Sequence, residues 1–453
     1  MSLEINSHSS LKNAKEIIFA LASGGGALRQ PIAVMRVSGK HCGDLLEKIA
    51  GKLPAPRMAS LRTLIYQEET LDQALILWMP GPNSYTGEDS FELHLHGASA
   101  VIEAVGEALS QLGARPAEAG EFTKRALHNG KMDLLQAEAV CDLVEAESAA
   151  QRRQALGQVE GGLSRLSNQW QSQMTQLLAQ LEAQADFPED TENEIGENPI
   201  IKEIQALLTE IQSHLSNRSG EILREGLTIV LAGAPNAGKS SLLNALAERE
   251  AAIVAPIAGT TRDAISLDWT LNGVKTRLVD TAGLRETEDI IEQEGVKRAK
   301  NWLRQADIIL YLIAPDEKAP DFSEFPKEAV LIPVYSKSDL SKALKNENGI
   351  ALSVKSPEGL KPLKEKLEEL ILKLCGKKPG NMAALTRPRH RHALGQASHH
   401  LEAALDEALP MELRAEEMRL ALQEMGRLSG KIGGRLDPEK ILDKIFSAFC
   451  IGK

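Results

Sequence analysis

The sequence predicts a multidomain protein that combines α/β modules with an all-α region, and three observations carry that prediction. Its 453 residues leave room for about three hydrophobic cores, at roughly 150 residues per domain. Leu134 to Ala185 contains no proline and spaces its apolar residues as helices do. From about Leu227 to Cys375, short apolar strands alternate with helical runs, the pattern of a doubly wound domain. Composition agrees: charged residues at 25% and hydrophobics at 43% exclude wholesale disorder and a membrane bundle. The longest strongly apolar run, Ile308 to Ala314, is too short to cross a bilayer, so no membrane association and a cytoplasmic location are expected. A net charge of −11 argues against a uniformly basic nucleic-acid coat but leaves room for a local basic patch. Cys42, Cys141, Cys375 and Cys450 form no C-x-x-C pair, which signals neither a disulfide framework nor a zinc ribbon and fits a reducing compartment.

In chain order, Ile17 to Ala22 reads as a buried strand, followed by branched apolar runs at Ile32 to Val37, Ala74 to Trp78 and Phe91 to Leu95. Turn clusters such as Gly81-Pro82-Asn83-Ser84 separate them. Asp133 with Gln136 resembles a capping box opening the long helical stretch, and Gly161-Gly162 marks its expected break. The acidic, proline-bearing segment from Asp186 to Pro199 is expected to be a surface loop before a helix at Ile201 to Leu215. After Pro379 helices are expected again, up to Lys453. The α/β domain thus reads as inserted into a helical one, with divisions at 1–130, 131–223, 224–376 and 377–453.

The strand Leu227 to Ala232 enters Gly233-Ala234-Pro235-Asn236-Ala237-Gly238-Lys239-Ser240, a G-x-x-x-x-G-K-[ST] loop, and the helical run Ser241 to Leu246 leaves it. Glycines let main-chain N–H groups close around phosphate oxygens, Lys239 neutralises the β/γ charge, and Ser240 offers a hydroxyl to Mg²⁺. Gly259-Thr260-Thr261-Arg262-Asp263 supplies a second metal hydroxyl, Thr261, on a loop the γ-phosphate can order. Asp280-Thr281-Ala282-Gly283 follows the strand Thr276 to Val279 and places a carboxylate near the metal and a glycine N–H near the γ-phosphate. Base choice falls to Ser336-Lys337-Ser338-Asp339 after the strand Val330 to Val334. An aspartate there accepts from guanine N1–H and its exocyclic amine, and polar sites of this kind discriminate by roughly 10⁴. GTP is therefore expected over ATP. Ser336 stands where the usual N-K-x-D has asparagine, and Ser353-Val354-Lys355 departs from S-A-K; these departures bear on the loop's anchoring and guanine affinity rather than on which nucleotide is bound. Leu284 follows Gly283, where many regulatory GTPases carry a water-orienting glutamine. A partner's arginine or a bound cation must then offset charge, an effect of roughly 10³ to 10⁵ in rate. Glu292 and Asn236 are this chain's own candidates.

Over essentially its whole length the chain resembles the MnmE (TrmE) family of tRNA modification GTPases, within the TrmE-Era-EngA-like group. The resemblance rests on Gly81 to Asp89, Gly120 to Ala126, Lys131-Met132-Asp133-Leu134, Gly233 to Ser241, Gly259 to Asp263 and the terminal Cys450-Ile451-Gly452-Lys453. It implies an N-terminal folate-binding, aminomethyltransferase-like α+β domain, a discontinuous helical domain and an inserted Ras-like P-loop G domain. It also implies a homodimer through the N-terminal domains and a flavoprotein partner, MnmG (GidA), in a heterotetramer, with FAD entering only through that partner. Together the pair would add a carboxymethylaminomethyl group to the wobble uridine of certain tRNAs, using 5-formyltetrahydrofolate.

By the same resemblance K⁺ replaces an arginine finger, held by Asn236, Ala255, Ile257 and Thr260, and Glu292 orients the attacking water beside the catalytic Lys239. Mg²⁺ goes to Ser240 and Thr261. GTP contacts are expected at Asn236, Ala237, Gly238, Lys239, Ser240 and Ser241, and at Ala255, Pro256, Ile257, Ala258, Gly259, Thr260 and Thr261. Further contacts are expected at Asp280, Thr281, Ala282 and Gly283, at Ser336, Lys337 and Asp339, and at Ser353, Val354 and Lys355. Folate positions map to Arg36, Glu92, Lys131 and Lys453; an acid suits the pterin's N–H edge and cations suit the glutamate tail. Two other functions compete: a ribosome-assembly switch GTPase without modifying activity, and a stand-alone folate enzyme with a regulatory G domain. For His94-x-His96 and the cluster His390, His392, His399 and His400 metal binding is the minor alternative, lacking acidic or thiol companions; the latter, beside Arg387, Arg389 and Arg391, suits RNA phosphate better, with a solvated helix start the favoured reading.

Overall fold

The computed structural model describes residues 16–23, 30–186, 199–249, 266–280, 300–315, 317, 320–327, 329–339, 349–356, 358–375, 383–432, 435–436 and 452. The chain divides into two compact units, one of residues 1–141 with 426–453 and one of residues 142–425.

In the first unit a six-stranded sheet has the order β3-β4-β5-β2-β1-β6. Its strands are β1 (Ile18–Leu21), β2 (Ile32–Ser38), β3 (Ser60–Tyr66), β4 (Glu69–Met79), β5 (Ser90–His96) and β6 (Arg115–Pro116). All neighbours are antiparallel except β1 and β6. Alternation sends Met35, Val37, Phe91, Leu93 and Ile76 to one face, where α1 (Cys42–Ala50) and α2 (Ser99–Gln111) cover them with Leu45, Leu46, Ile49, Val105 and Leu109. The same alternation turns Arg36, Glu92 and His94 to the opposite face. Beside it α3 (Glu121–His128) buries Phe122 against Ile18, Ala20 and Tyr85. Behind α3, Glu121 takes Arg115 at 2.7 Å and Arg125 at 2.9 Å, and Arg125 reaches Glu88 at 3.1 Å. The capping box expected before α4 (Leu134–Glu145) is present: Gln136 N–H donates to Asp133 at 2.9 Å and Asp133 N–H to Gln136 at 3.1 Å.

The second unit begins with helices α5 (Ala149–Val159), α6 (Gly162–Asp186), α7 (Pro199–Ser216) and α8 (Ser219–Glu225). The break at Gly161 stands as expected, but a second one after Glu145 separates α4 from α5. Ser148 and Gln151 form a capping box there, because the Ser148 hydroxyl accepts the Gln151 N–H and the Gln151 side chain accepts the Ser148 N–H. Trp170 of α6 is fully buried and donates to Glu210 of α7 at 3.0 Å. A second six-stranded sheet then follows in the order β12-β11-β10-β7-β9-β8. It contains β7 (Leu227–Gly233), β8 (Ser266–Leu271), β9 (Val274–Asp280), β10 (Ile308–Ile313), β11 (Val330–Tyr335) and β12 (Ile350–Ala351), all parallel except β8. Central β7 is apolar from Ile229 to Ala232 because both its faces are covered: Ile229 and Leu231 enter one core, Val230 and Ala232 the other. Helix α9 (Lys239–Arg249) follows β7, and α10 (Lys361–Cys375) closes the domain with Leu363, Leu367 and Ile371 inward. Helices α11 (Pro388–Ala404) and α12 (Met411–Ser429) return. The expectation of helices up to Lys453 is corrected at Lys431–Ile432, which pairs antiparallel with Arg435–Leu436. Gly430, at φ 80°, ends α12 in a left-handed conformation that a helix cannot continue.

Candidate functional sites

The phosphate loop is set by where β7 ends. Gly233 lies against β10 so closely that a Cβ would stand 2.4 Å from the Leu312 carbonyl oxygen. Asn236 at φ 65° and Gly238 at φ 99° then fold the loop back, using an asparagine and a glycine for two left-handed positions. Lys239, 5% exposed, donates from Nζ to the carbonyls of Gly233 at 2.8 Å and Ala234 at 2.7 Å, so its charge sits inside the loop at the start of α9. There the first-turn N–H groups add a positive field. The Ser240 hydroxyl donates to Asp280 Oδ2 at 2.7 Å, and Asp280, 1% exposed, ends the neighbouring strand β9. The hydroxyl and carboxylate assigned to the metal are thereby brought together.

At the base end, buried Ser336 turns both its N–H, at 2.9 Å, and its hydroxyl, at 3.3 Å, onto the Ile313 carbonyl. That anchor holds the loop to β10. Lys337 donates from Nζ to the Asn236 carbonyl at 3.0 Å and so fastens the loop after β11 to the phosphate loop. Ser353 donates to Asp339 Oδ1 at 2.9 Å, with Lys355 Nζ 3.7 Å from Oδ2. The Ser353 hydroxyl, with Lys355 adding to it, holds the Asp339 carboxyl below its ordinary range. Asp339, Ser338, Ser353 and Lys355 line an open cleft of about 510 Å³. Of the other expected contacts, Ala237 is fully buried in the core and Val354 packs against its edge. Ser241 lies exposed in the first turn of α9. Ala255, Pro256, Ile257, Ala258, Gly259, Thr260, Thr261, Thr281, Ala282, Gly283 and Glu292 lie outside the described residues, as do Cys450 and Lys453.

The N-terminal candidates Arg36 and Glu92 are cross-strand partners on β2 and β5. Arg36 donates from Nε at 2.9 Å and Nη2 at 2.8 Å, both to Glu92 Oε1. Its guanidinium lies 5.5 Å from the Tyr85 ring and 5.9 Å from that of Phe122, near enough for a cation to favour the ring faces. Tyr85 shares a 2.8 Å hydrogen bond with Thr123, and burial pushes its phenol above the ordinary value. Lys131 donates to the Pro82 carbonyl at 2.9 Å and Asn129 to the Thr86 carbonyl at 2.7 Å, which strap down the loop that carries Tyr85. Tyr85, Phe122 and Thr123 were not singled out as contacts from sequence, although the Gly81 to Asp89 and Gly120 to Ala126 motifs contain them.

The solvated helix start expected for the basic cluster at α11 is corrected for Arg387 and Arg391. Arg387 binds Asp142 at 2.6 Å, Arg391 grips Glu221 through Nε and Nη2 at 2.9 Å each, and His390 is buried with Nδ1 accepting the Thr386 N–H at 3.4 Å. These two guanidinium groups close on carboxylates of the same unit. His96 pairs with Asp72 at 2.7 Å and His400 with Glu417 at 2.7 Å, and no group of three metal-ligating side chains occurs among the described residues.

A phosphate loop on the central strand of a mainly parallel sheet, with Asp339 on the loop after β11 fastened beside it, defines a P-loop nucleotide-binding protein. The MnmE helical domain matches residues 134–450, and the N-terminus of the GTP-binding protein TrmE matches residues 17–131. A tRNA modification GTPase MnmE of Gluconacetobacter diazotrophicus is 49% identical over 442 residues, covering 96% of this chain and 98% of that relative. One from Caulobacter vibrioides is 46% identical over 457 residues, with 97% and 100% covered. The mitochondrial 5-taurinomethyluridine-[tRNA] synthase subunit GTPB3 of Danio rerio is 41% identical over 479 residues, with 97% and 93% covered. The chain belongs to the MnmE family of tRNA modification GTPases.

Proposed function

We propose that the chain hydrolyses GTP in a K⁺-dependent reaction and, as a homodimer with the flavoprotein MnmG, takes part in modifying the wobble uridine of tRNA. The observation that carries the hydrolytic reading is the meeting of Ser240 and Asp280 at 2.7 Å beside the enclosed ammonium of Lys239. Water attacks the γ-phosphorus, the bond to the β–γ bridging oxygen breaks, and GDP, inorganic phosphate and a proton leave. Lys239 opposes charge that builds on the β- and γ-oxygens, and the loop's N–H groups hold them in place. A hydroxyl and a carboxylate form an all-oxygen set suited to Mg²⁺, with Thr261 as the further ligand. When bound, that ion would draw negative charge from the phosphates. Asp339, oriented by Ser353, selects guanine, and Glu292 orients the water. Asn236, Ala255, Ile257 and Thr260 would offer oxygens to K⁺, which would offset phosphate charge in place of an arginine finger, while Glu292 does the water-orienting work that Leu284 cannot.

Arg36 and Glu92 read as the pterin end of a 5-formyltetrahydrofolate site, with Lys131 and Lys453 assigned to the glutamate tail. Support comes from a paired acid and cation against two aromatic rings, a setting suited to a flat heterocycle with an N–H edge. GTP turnover measured in potassium and in sodium buffer tests the reading: turnover is expected to fall strongly in sodium, and equal rates would remove K⁺ from the mechanism.

A further inference from the structure

Helix α5 buries glutamines where an amphipathic helix buries apolar residues. Gln151, Gln154 and Gln158 are 8%, 3% and 3% exposed, and their spacing puts them on one face. Each spends its amide on a main-chain carbonyl: Gln151 on Arg224 at 3.0 Å, Gln154 on Gly220 at 3.3 Å, Gln158 on Ala384 at 2.8 Å. Two of those carbonyls belong to α8, which leads through Gly226 directly into β7 and the phosphate loop. The packing has no slack: a Cβ on Gly220 would stand 2.4 Å from the Leu385 carbonyl oxygen. Ion pairs close the same joint, with Asp142 holding Arg224 at 2.9 Å and Arg387 at 2.6 Å, and Glu221 holding Arg391.

The first turn of α5 grips a second strand. Ala150, fully buried, shares a core with Leu271 and Val274, and its N–H donates to the Gly273 carbonyl at 3.4 Å. Glu147 pairs with Lys275 at 2.6 Å. Asn272 and Gly273 form the turn between β8 and β9, and β9 runs from there to Asp280, about 20 Å away at the rise of an extended strand. One helix therefore holds the far end of β9, which carries Asp280, and through α8 the start of β7, which leads into the loop of Lys239 and Ser240, while it is also tied to the segment that opens α11.

We propose that α5 is the coupling element between the nucleotide site and the helical segments, with Gln151, Gln154, Gln158 and the Glu147–Lys275 pair as its positioning residues. The proposal rests on the GTPase reading above. A change at Ser240 and Asp280 moves β7 and β9, the polar clamp carries α5 with them, and by reciprocity α5 biases the nucleotide site.

Hydrogen exchange of the Ala150 amide, measured on the full chain with GDP and with a non-hydrolysable GTP analogue, tests this. Coupling of ordinary strength predicts that the two nucleotides differ in exchange rate by about 5- to 150-fold. Lys275→Glu should shrink the difference, and Glu147→Lys in the same chain should restore it, a rescue that general destabilisation would not give. Gln154→Leu should keep GTP turnover within about two-fold while the uridine modified per GTP hydrolysed falls at least tenfold. Equal Ala150 exchange in both nucleotide states overturns the proposal, as does a Gln154→Leu chain whose modification and turnover fall in parallel. Failure of the GTPase reading is seen separately, as wild-type chain that retains no guanine nucleotide.

Discussion

Gly233→Ala is the sharpest test of the phosphate-loop geometry. At φ 139° the residue is strained for any L side chain, and its new Cβ would meet the Leu312 carbonyl oxygen at 2.4 Å and Leu312 Cβ at 3.3 Å. An ordinary carbon–oxygen contact is about 3.3 Å or more, so β7 and β10 must part by roughly 1 Å. Backbone strain of about 1–3 kcal/mol and overpacking of about 1–3 kcal/mol sum to about 2–6 kcal/mol. For a domain of this size that lowers the unfolding midpoint by roughly 5 to 20 °C. The Gly233 carbonyl also accepts the Lys239 ammonium at 2.8 Å, so nucleotide affinity should fall with stability. Gly273→Ala is the control: its φ is 76°, nothing stands within 4 Å of its Cβ, and the cost should be only about 1–2 kcal/mol. Thermal unfolding and GTP titration of both variants decide the matter. A Gly233→Ala chain that melts with wild type and binds GTP equally well would refute the reasoning.

Burial raises the carboxyl of Asp307, whose Oδ2 accepts the Thr228 N–H at 2.9 Å. The folded state therefore holds its proton more tightly than the unfolded one, and its stabilising contribution is full below the unfolded value and lost as pH rises through the folded one. Asp307→Asn, which keeps an acceptor for Thr228, should raise the melting temperature near pH 7 and lose that advantage toward about pH 4. Burial, with Asp307 nearby, pushes the Cys375 thiol up to about 11. Iodoacetamide should alkylate native Cys375 about 10²-fold more slowly than a free thiol at about pH 8, as read by mass spectrometry.

What the sequence made legible is what depends on local pattern. Apolar runs marked β2, β5, β7 and β11 because their burial is written in their own residues, and Asp133 with Gln136 marked a helix start because both halves of that cap lie three residues apart. The phosphate loop was legible because backbone closure, an ammonium and a hydroxyl must follow one another in sequence. Polar residues whose partners lie far away were not legible. Arg391 and Glu221 are 170 positions apart, Arg387 and Asp142 are 245, and from sequence those arginines read as an exposed basic cluster. The glutamines of α5 were missed for the same reason, since a polar face reads as a wet one. Tyr85 and Phe122 join Arg36 only through the packing of α3 and its neighbouring loop.

On the folate reading proposed above, the Arg36–Glu92 pair also constrains how a pterin would be held. Arg36 directs both its Nε and Nη2 at Oε1, so Glu92 spends one oxygen on orientation. Oε2 lies 3.7 Å from His94 Nε2, a buried atom without a hydrogen-bond partner among the described residues. The carboxylate is thus half committed, and on that reading Oε2 would accept from an N–H edge while the arginine fixes its direction. Glu92→Gln preserves shape but has a single acceptor for two donors, so either Arg36 or the ligand loses its partner. A charged hydrogen bond contributes about 1.5–3 kcal/mol, so 5-formyltetrahydrofolate should bind about 10- to 100-fold more weakly by calorimetric titration. Glu92→Asp, which keeps two acceptors but withdraws them by one methylene, should bind the folate between those limits. Wild-type affinity in Glu92→Gln would show that the carboxylate serves only the sheet.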